Sequence, residues 1–310
     1  MHMSDNESLS NTKKEYWRAD VSKIKEDSIH GSGYLAGKAL DVVEEFVNRE
    51  LYKNRTELLQ SLSKLSNALV RAKPLMALIY NRTQNVIDFI HNIPKEEKKI
   101  QIIKQAALDE IKRIHKEADI KFDRIVQFGS KIIMDNHSVL VHSYSNLVYS
   151  ILVKARKLNR HFSVICTESR PNNEGSKMAL QLAKAGIKTR LIIDADIVRS
   201  VNEVHFILTG MDRLTETTFI SKTGTQSLAL LADSLNKPIY VAGETDKILL
   251  KRTYPVRFLQ NNAAEVFKEK HSNLTVSNIY VEETSLKYVN KIIIEDGIFE
   301  LKEFIDRYLL

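Results

Sequence analysis

The sequence predicts an α-helical domain followed by an α/β domain built on a parallel sheet. Three observations carry this expectation. Glycine and proline are scarce, ten and five in 310 residues, less than half their usual frequencies. So few turn formers exclude a many-turned all-β sandwich and favour long helices with short connections. Apolar residues recur at helical spacing, and no strand-like run interrupts residues 34–118. Beyond Asp123, short β-rich runs alternate with amphipathic stretches, the pattern of a parallel sheet covered on both faces.

The elements follow in order. Residues 1–20 are polar and read as a mobile tail. After His30-Gly31-Ser32-Gly33, a first helix carries Ala36, Ala39, Leu40, Val43 and Val47 on one face, with Asp41, Glu44 and Glu45 opposite. A second fits Leu58, Leu59, Leu62, Leu65 and Leu69. A third is predicted to start at Pro74, a residue suited to the first helical position, and to carry Leu75, Leu78 and Ile79 towards Ile90. A fourth follows Ile100, Ile103, Ala107, Ile111 and Ile114. Residues 21–120 are thus the helical domain. Residues 121–310 read as a Rossmann-like parallel-sheet α/β domain. Its strands are expected at Ser138–Val141, Ser163–Thr167, Thr189–Asp194, Val204–Leu208, Pro238–Ala242 and Lys291–Ile294. Helices are expected at Ser145–Leu158, Gly175–Ala185 and Thr225–Leu235.

Composition narrows the function classes. A single cysteine forms neither an intrachain disulfide nor a multi-thiolate zinc centre, and no metal or cofactor is expected. No apolar run approaches the ~20 residues that span a bilayer, and the first twenty residues lack a secretory apolar stretch; a cytoplasmic protein without membrane contact is expected. The net charge of +7 suits anionic ligands. Basic residues are interleaved with acidic ones, as in Lys95–Lys99 and Lys112–Lys121. No basic run with interleaved aromatics appears, so direct nucleic-acid binding is not expected.

In such sheets ligands bind beyond the carboxyl ends of the strands. There the sequence concentrates small, hydroxyl and charged residues: His142-Ser143-Tyr144-Ser145, Thr167-Glu168-Ser169-Arg170-Pro171, Asp194-Ala195-Asp196 and Thr209-Gly210-Met211-Asp212. Gly129-Ser130-Lys131 and Lys222-Thr223-Gly224-Thr225 read as turns that expose backbone N–H groups, the second opening a helix. Each serves as a helix cap or as part of a phosphate pocket.

Five of these segments occur in a recognisable order: V-I-C-T-E-S-R-P over Val164–Pro171, Gly210-Met211-Asp212, S-K-T-G-T over Ser221–Thr225, V-A-G-E-T over Val241–Thr245 and I-I-I-E-D-G over Ile292–Gly297. Together they resemble the family that unites the alpha, beta and delta regulatory subunits of translation initiation factor 2B with ribose-1,5-bisphosphate isomerase and methylthioribose-1-phosphate isomerase. The segments Ile29–Ala39 and Ala72–Ala77 resemble that family's helical domain.

The resemblance implies site residues one by one. The isomerases' aspartate matches Asp212, and their lysine matches Lys222. The asparagine before that lysine becomes Ser221, and the catalytic cysteine becomes Ser143. The arginine of the R-G-A motif becomes His30, ahead of Gly31 and Ser32, and a second phosphate arginine becomes Lys73. Arg170, Gly224 and Thr225 complete the implied ligand set. A thiol near pKa 8.5 is tunable into a base at neutral pH, whereas an alcohol is not without a dedicated partner. Histidine lacks the bidentate fork with which arginine grips phosphate. Cys166 lies inside a predicted strand and reads as a small buried hydrophobe.

The resemblance therefore implies a regulatory, initiation-factor-2B-like subunit with a remnant, non-catalytic pocket for a sugar phosphate or nucleoside monophosphate. The alternative is an aldose–ketose isomerase acting on a phosphorylated pentose, with Asp212 as general acid/base and Lys222 orienting hydroxyls or phosphate. Asp212 equally reads as a loop residue that caps a helix or pairs with Arg213 or Lys222. Implied partners are subunits of initiation factor 2 and further copies of the chain, as a homodimer or dimer-based oligomer. Val276–Tyr280 and Ile298–Leu310 read either as interface or as intramolecular core.

Overall fold

The computed structural model describes residues 16–49 and 51–310. It divides after Asp119 into a helical unit and an α/β unit, so the chain has the predicted class. The helical unit opens with α1 (Trp17–Glu26), α2 (Ser32–Arg49), α3 (Arg55–Ala72) and α4 (Ala77–Asn92). Their apolar stripes meet: Leu35, Ala39, Leu40, Val43 and Val47 of α2 are buried with Leu58, Leu62, Leu65 and Leu69 of α3 and Leu78, Ile79, Val86 and Ile90 of α4. One polar pair sits in this core, Ser66 Oγ and Thr83 Oγ1 at 2.7 Å. The Thr83 hydroxyl also lies 2.8 Å from the Ile79 carbonyl, so both oxygens are satisfied without water.

Three expectations need correction here. The tail expected over residues 1–20 falls largely outside the described residues. Its end, Trp17–Asp20, belongs to α1, a helix that buries Ile24 and packs on α2 and α3. The third predicted helix begins at Ala77 rather than Pro74. Residues 73–75 form a turn, with the Met76 N–H donating to the Lys73 carbonyl at 3.0 Å. The fourth helix does not stop near Ile114. As α5 it runs from Ile100 to Ser130, because Ile125 continues its apolar stripe. Gly129 and Ser130 are therefore helical and offer no anion turn. Gly129 is instead a contact point, where a Cβ would lie 2.6 Å from Ile151 Cδ1.

The α/β unit is built on a seven-stranded sheet of order β10-β9-β7-β4-β1-β2-β3. Its strands are β1 (Ser138–Val141), β2 (Ser163–Thr167), β3 (Lys188–Ile192), β4 (Phe206–Gly210), β7 (Ile239–Ala242), β9 (Lys291–Ile294) and β10 (Gly297–Glu300). All neighbours are parallel except β9 and β10, a hairpin turned at the sheet edge. Strand residues alternate between two cores, as a twice-covered sheet requires. Val139, Val141, Val164, Cys166, Phe206 and Leu208 face α6 (Asn146–Lys157) and α7 (Glu174–Lys184). Leu140, Ile165, Ile207, Val241 and Ile292 share the opposite core with α8 (Ile197–Asn202), α9 (Thr225–Ser234) and α10 (Leu301–Tyr308). Phe299 and Phe304 are buried in that second core, so the C-terminal segment packs intramolecularly.

The run expected to end at Asp194 leaves the sheet after Ile192, because Asp194 opens a short 3-10 turn. A second sheet was not foreseen: β5 (Arg213–Leu214), β6 (Thr218–Lys222) and β8 (Val281–Ser285), antiparallel in the order β5-β6-β8. Arg213 anchors it. Its guanidinium is fully buried and donates from Nε to the Leu249 carbonyl (2.7 Å) and from Nη2 to those of Leu250 (3.1 Å) and Tyr254 (2.5 Å). With the Leu249 N–H on the Leu214 carbonyl (2.9 Å) and the Lys251 N–H on Glu216 Oε2 (3.0 Å), it helps to hold the irregular stretch that follows β7.

Candidate functional site

The sheet order sets where a cleft opens. The chain steps outward from β1 to β2 and β3 on one side, and from β4 to β7 and β9 on the other. Strands β1 and β4 are adjacent, so their carboxyl ends form the switch point at which such sheets bind ligands. His142 and Ser143 leave β1 there, and Gly210 ends β4, followed by Met211 and Asp212. Gly210 is needed for the close approach: a Cβ would lie 2.7 Å from Oγ of Ser145, the N-cap of α6.

Ser143 adopts φ +72°, a left-handed conformation unusual for a residue with a Cβ. A hydrogen-bonded chain holds it. The Ser143 N–H donates to Ser169 Oγ (2.8 Å), which lies 2.9 Å from Thr167 Oγ1, which in turn lies 2.7 Å from His142 Nδ1. The other ring nitrogen of His142, Nε2, donates to the Thr223 carbonyl at 2.9 Å. Both nitrogens of His142 are thus engaged, and burial pushes its pKa below the ordinary histidine value. A neutral, doubly bonded imidazole ties β1 to the start of α9 and is not free to serve Ser143 as a base.

That depressed pKa has a sign to test. Above pH 6.5 His142 is neutral folded or unfolded, and its contribution is fully present. As the pH falls through 6.5 the unfolded chain takes up a proton that the folded one refuses, so stability declines until the lower folded pKa is reached. The urea midpoint of the wild type is expected to fall between pH 7.5 and 5 more steeply than that of His142→Gln; equal slopes would assign the decline to other groups.

Glu174 and Lys222 are the ionic centre of the cleft. Lys222, on β6, is 4% exposed, and its Nζ lies 2.7 Å from Glu174 Oε1. The Ser143 hydroxyl donates to the same oxygen at 3.4 Å. The contact with Lys222 is an ion pair rather than a directed hydrogen bond: the Nζ protons find no hydrogen-bond acceptor among the described residues, and neither does the buried Glu174 Oε2 find a donor. The Tyr280 ring lies 5.5 Å from Nζ. Burial, together with the Glu265 carboxylate that its hydroxyl meets, pushes the Tyr280 phenol up to about 12.

The predicted anion turn is occupied from within. Gly224, at φ +105°, caps α9. Its N–H donates to Glu282 Oε1 at 2.7 Å, and the Gln226 N–H donates to the same oxygen at 2.8 Å. These amides, expected to be exposed to a ligand, are satisfied because β8 pairs with β6 and sets Glu282 opposite Ser221. The Thr225 hydroxyl turns back to the Lys222 carbonyl at 2.5 Å.

The other expected site residues fall into two places. Arg170 stands at the cleft edge: its N–H and that of Ser169 donate to the two oxygens of Asp194, each at 2.8 Å, while its guanidinium reaches the Glu265 carbonyl at 3.3 Å. Within the helical unit, His30 and Lys73 gather at Asp27. His30 Nδ1 lies 2.8 Å from the Asp27 carboxylate, and Lys73 Nζ donates to the Asp27 carbonyl at 2.7 Å. Gly31 and Ser32 follow at the start of α2, where the Gly31 carbonyl accepts from the Leu35 N–H.

Asp212 is partly buried, and its N–H donates to the Ile220 carbonyl at 2.8 Å. It pairs with neither Arg213 nor Lys222, whose partners are elsewhere. No hydrogen bond or ion pair engages its carboxylate among the described residues. Cys166 sits in the sheet core, where burial pushes its thiol up to about 12. The described residues contain no cluster fit to hold a metal ion.

With this arrangement in view, residues 28–301 match the Initiation factor 2 subunit family. The chain belongs to that family. Among curated relatives, it is similar to a ribose 1,5-bisphosphate isomerase of Methanocaldococcus jannaschii, 25% identical over 281 residues and covering 89% of each chain. Among solved structures, it resembles the translation initiation factor eIF-2B of Pyrococcus horikoshii OT3, with a TM-score of 0.75, 26% identity and coverage of 92% and 97% of the two chains. The fold also matches the tetrameric eIF2B-beta2-delta2 complex from C. thermophilum, with a TM-score of 0.76, 18% identity and coverage of 98% and 97%. The family thus contains both named isomerases and initiation-factor subunits.

Sequence reasoning missed Glu174 and Glu282. Glu174 has a weak local signal as an acidic residue in the first turn of α7. Glu282 has none, since its role depends on amides 56 and 58 residues away that the pairing of β8 with β6 brings to it.

Proposed function

We propose that this family member is a regulatory, initiation-factor-2B-like subunit whose strand-end cleft receives a phosphorylated metabolite, a sugar phosphate or nucleoside monophosphate, and leaves it unconverted. One observation carries the reading. At the position where the family resemblance puts the isomerase thiol stands Ser143, whose hydroxyl has no base beside it but a carboxylate 3.4 Å away that is already paired with Lys222. The neighbouring imidazole is bonded at both nitrogens, and the one thiol is locked in the sheet. Moving a proton between two carbons of an aldose needs a group that alternates as acid and base near neutral pH, and an alcohol so placed does not supply it.

A second reading rests on Asp212. Its unengaged, partly buried carboxylate is what an isomerase would keep, with Lys222 orienting the sugar hydroxyls. Incubation of the purified protein with ribose 1,5-bisphosphate and with methylthioribose 1-phosphate separates the two. No ketose product is expected from either, while AMP, GMP or sugar phosphates raise the melting temperature through binding to the folded state alone. Turnover abolished by Asp212→Asn would overturn the regulatory reading in favour of the isomerase.

The regulatory reading also includes assembly as a homodimer or dimer-based oligomer, the usual closed arrangement for identical chains, and association with initiation factor 2 subunits in the cytoplasm. The tetrameric relative supports the assembly part of it.

A further inference from the structure

We propose that Glu282 and Glu174 are specificity residues that keep phosphate off the α9 terminus and Lys222, reserving this part of the cleft for an uncharged, hydroxyl-bearing portion of the ligand. The proposal rests on the reading of the cleft as a metabolite site and says which end of the metabolite it takes. A cleft of this kind has two elements that attract anions: a buried ammonium, Lys222, and the amides at the start of a ten-residue helix. Each carries one of the chain's own carboxylates. Glu282 Oε1 accepts from the Gly224 and Gln226 amides, and Glu174 Oε1 sits 2.7 Å from Lys222 Nζ. A phosphate arriving at either place would meet a like charge in a half-buried setting, where such repulsion is poorly screened.

The valences left over describe a different guest. Lys222 Nζ has protons without a hydrogen-bond acceptor, and Glu174 Oε2 has lone pairs without a donor. Buried polar atoms of this sort are costly unless a ligand or water completes them. The dianion of a phosphate ester only accepts, so it satisfies the ammonium and not the carboxylate, and inorganic phosphate brings the same charge against Glu174. A hydroxyl does both, accepting from Nζ–H and donating to Oε2. The Tyr280 ring beside Nζ closes the same place with an apolar wall, which suits the carbon skeleton of a sugar better than a multiply charged group.

The test compares D-ribose with inorganic phosphate at matched ionic strength on the full chain. The wild type is expected to gain melting temperature with ribose and to show no anion density between Gly224 N and Gln226 N in phosphate-soaked crystals. Glu282→Ala frees the two amides and is expected to bind phosphate about tenfold more tightly than the wild type, with anion density between Gly224 N and Gln226 N in phosphate-soaked crystals. Glu282→Asp, which keeps the charge, gains nothing. If Glu282→Ala fails to fold, Glu282→Gln removes the charge while retaining an acceptor for the Gly224 and Gln226 amides, and is expected to bind phosphate more tightly than the wild type. Phosphate affinity unchanged by loss of the charge, anion density on the Gly224 and Gln226 amides of the wild type, or no stabilisation of the wild type by ribose overturns the proposal. Neither result bears on turnover of a bisphosphate, so the regulatory reading stands or falls separately.

Discussion

Gly175→Ala is expected to destabilise the α/β unit by about 3 kcal/mol or more. A Cβ at this position would lie 1.8 Å from the Thr167 carbonyl oxygen and 2.7 Å from Ser169 Oγ. The first obstacle is backbone, at the end of β2, and has no rotamer to give. The start of α7 would have to move off the sheet and carry Glu174 with it, so the Lys222 pair and the support of Ser143 would loosen together. Thermal melting is a direct check, since about 2–4 °C is lost per kcal/mol in a unit of this size. Gly37→Ala is the control, because nothing lies within 4 Å of a Cβ there, in the middle of α2. A Gly175→Ala protein that melts with the wild type would mean that β2 and α7 are less closely apposed than described.

Arg213→Met is expected to cost about 3 kcal/mol. The guanidinium is fully buried and is the hydrogen-bond donor to the carbonyls of Leu249, Leu250 and Tyr254. Methionine fills much of the volume but takes this donor from the Leu249 and Tyr254 carbonyls, while the Leu250 carbonyl keeps the Thr253 and Tyr254 amides. Arg213→Lys keeps the charge and loses the planar fork, so it should fall between the two. Proteolysis offers a second readout. This side chain binds three carbonyls of the stretch after β7, and cleavage between residues 249 and 254 should accelerate in Arg213→Met under conditions that leave the wild type intact. Equal urea midpoints for all three proteins would remove the arginine from its anchoring role.

These two residues show where sequence reasoning reached and where it stopped. Strands β1, β2 and β9 lie where their continuous apolar runs place them, since a strand buried on both faces has little polar sequence to confuse its limits. Helices α2 and α3 follow equally from spacing, whereas α1 lies partly in the segment read as a tail. The second sheet was invisible because β5 has two residues and β8 reads Val281-Glu282-Glu283-Thr284-Ser285, too polar to resemble a strand. Its register depends on partners some sixty residues away. The end of α5 was misjudged because Asp123 and its neighbours mark a change of character without breaking the helix. At the cleft, Ser143, Lys222 and Gly224 were recognisable as residue types in a motif. The carboxylates that answer them, Glu174 and Glu282, are contributed by α7 and β8, and only folding brings them there.

The chain's one sulfhydryl has a practical meaning. Cys166 lies on β2, flanked by β1 and β3, with no accessible surface and an ionisation far above neutral. Alkylating and disulfide-exchanging reagents act on the thiolate, so the native protein should ignore them. Modification would then wait until the central strands separate, and its rate would time that opening with a probe the molecule already carries.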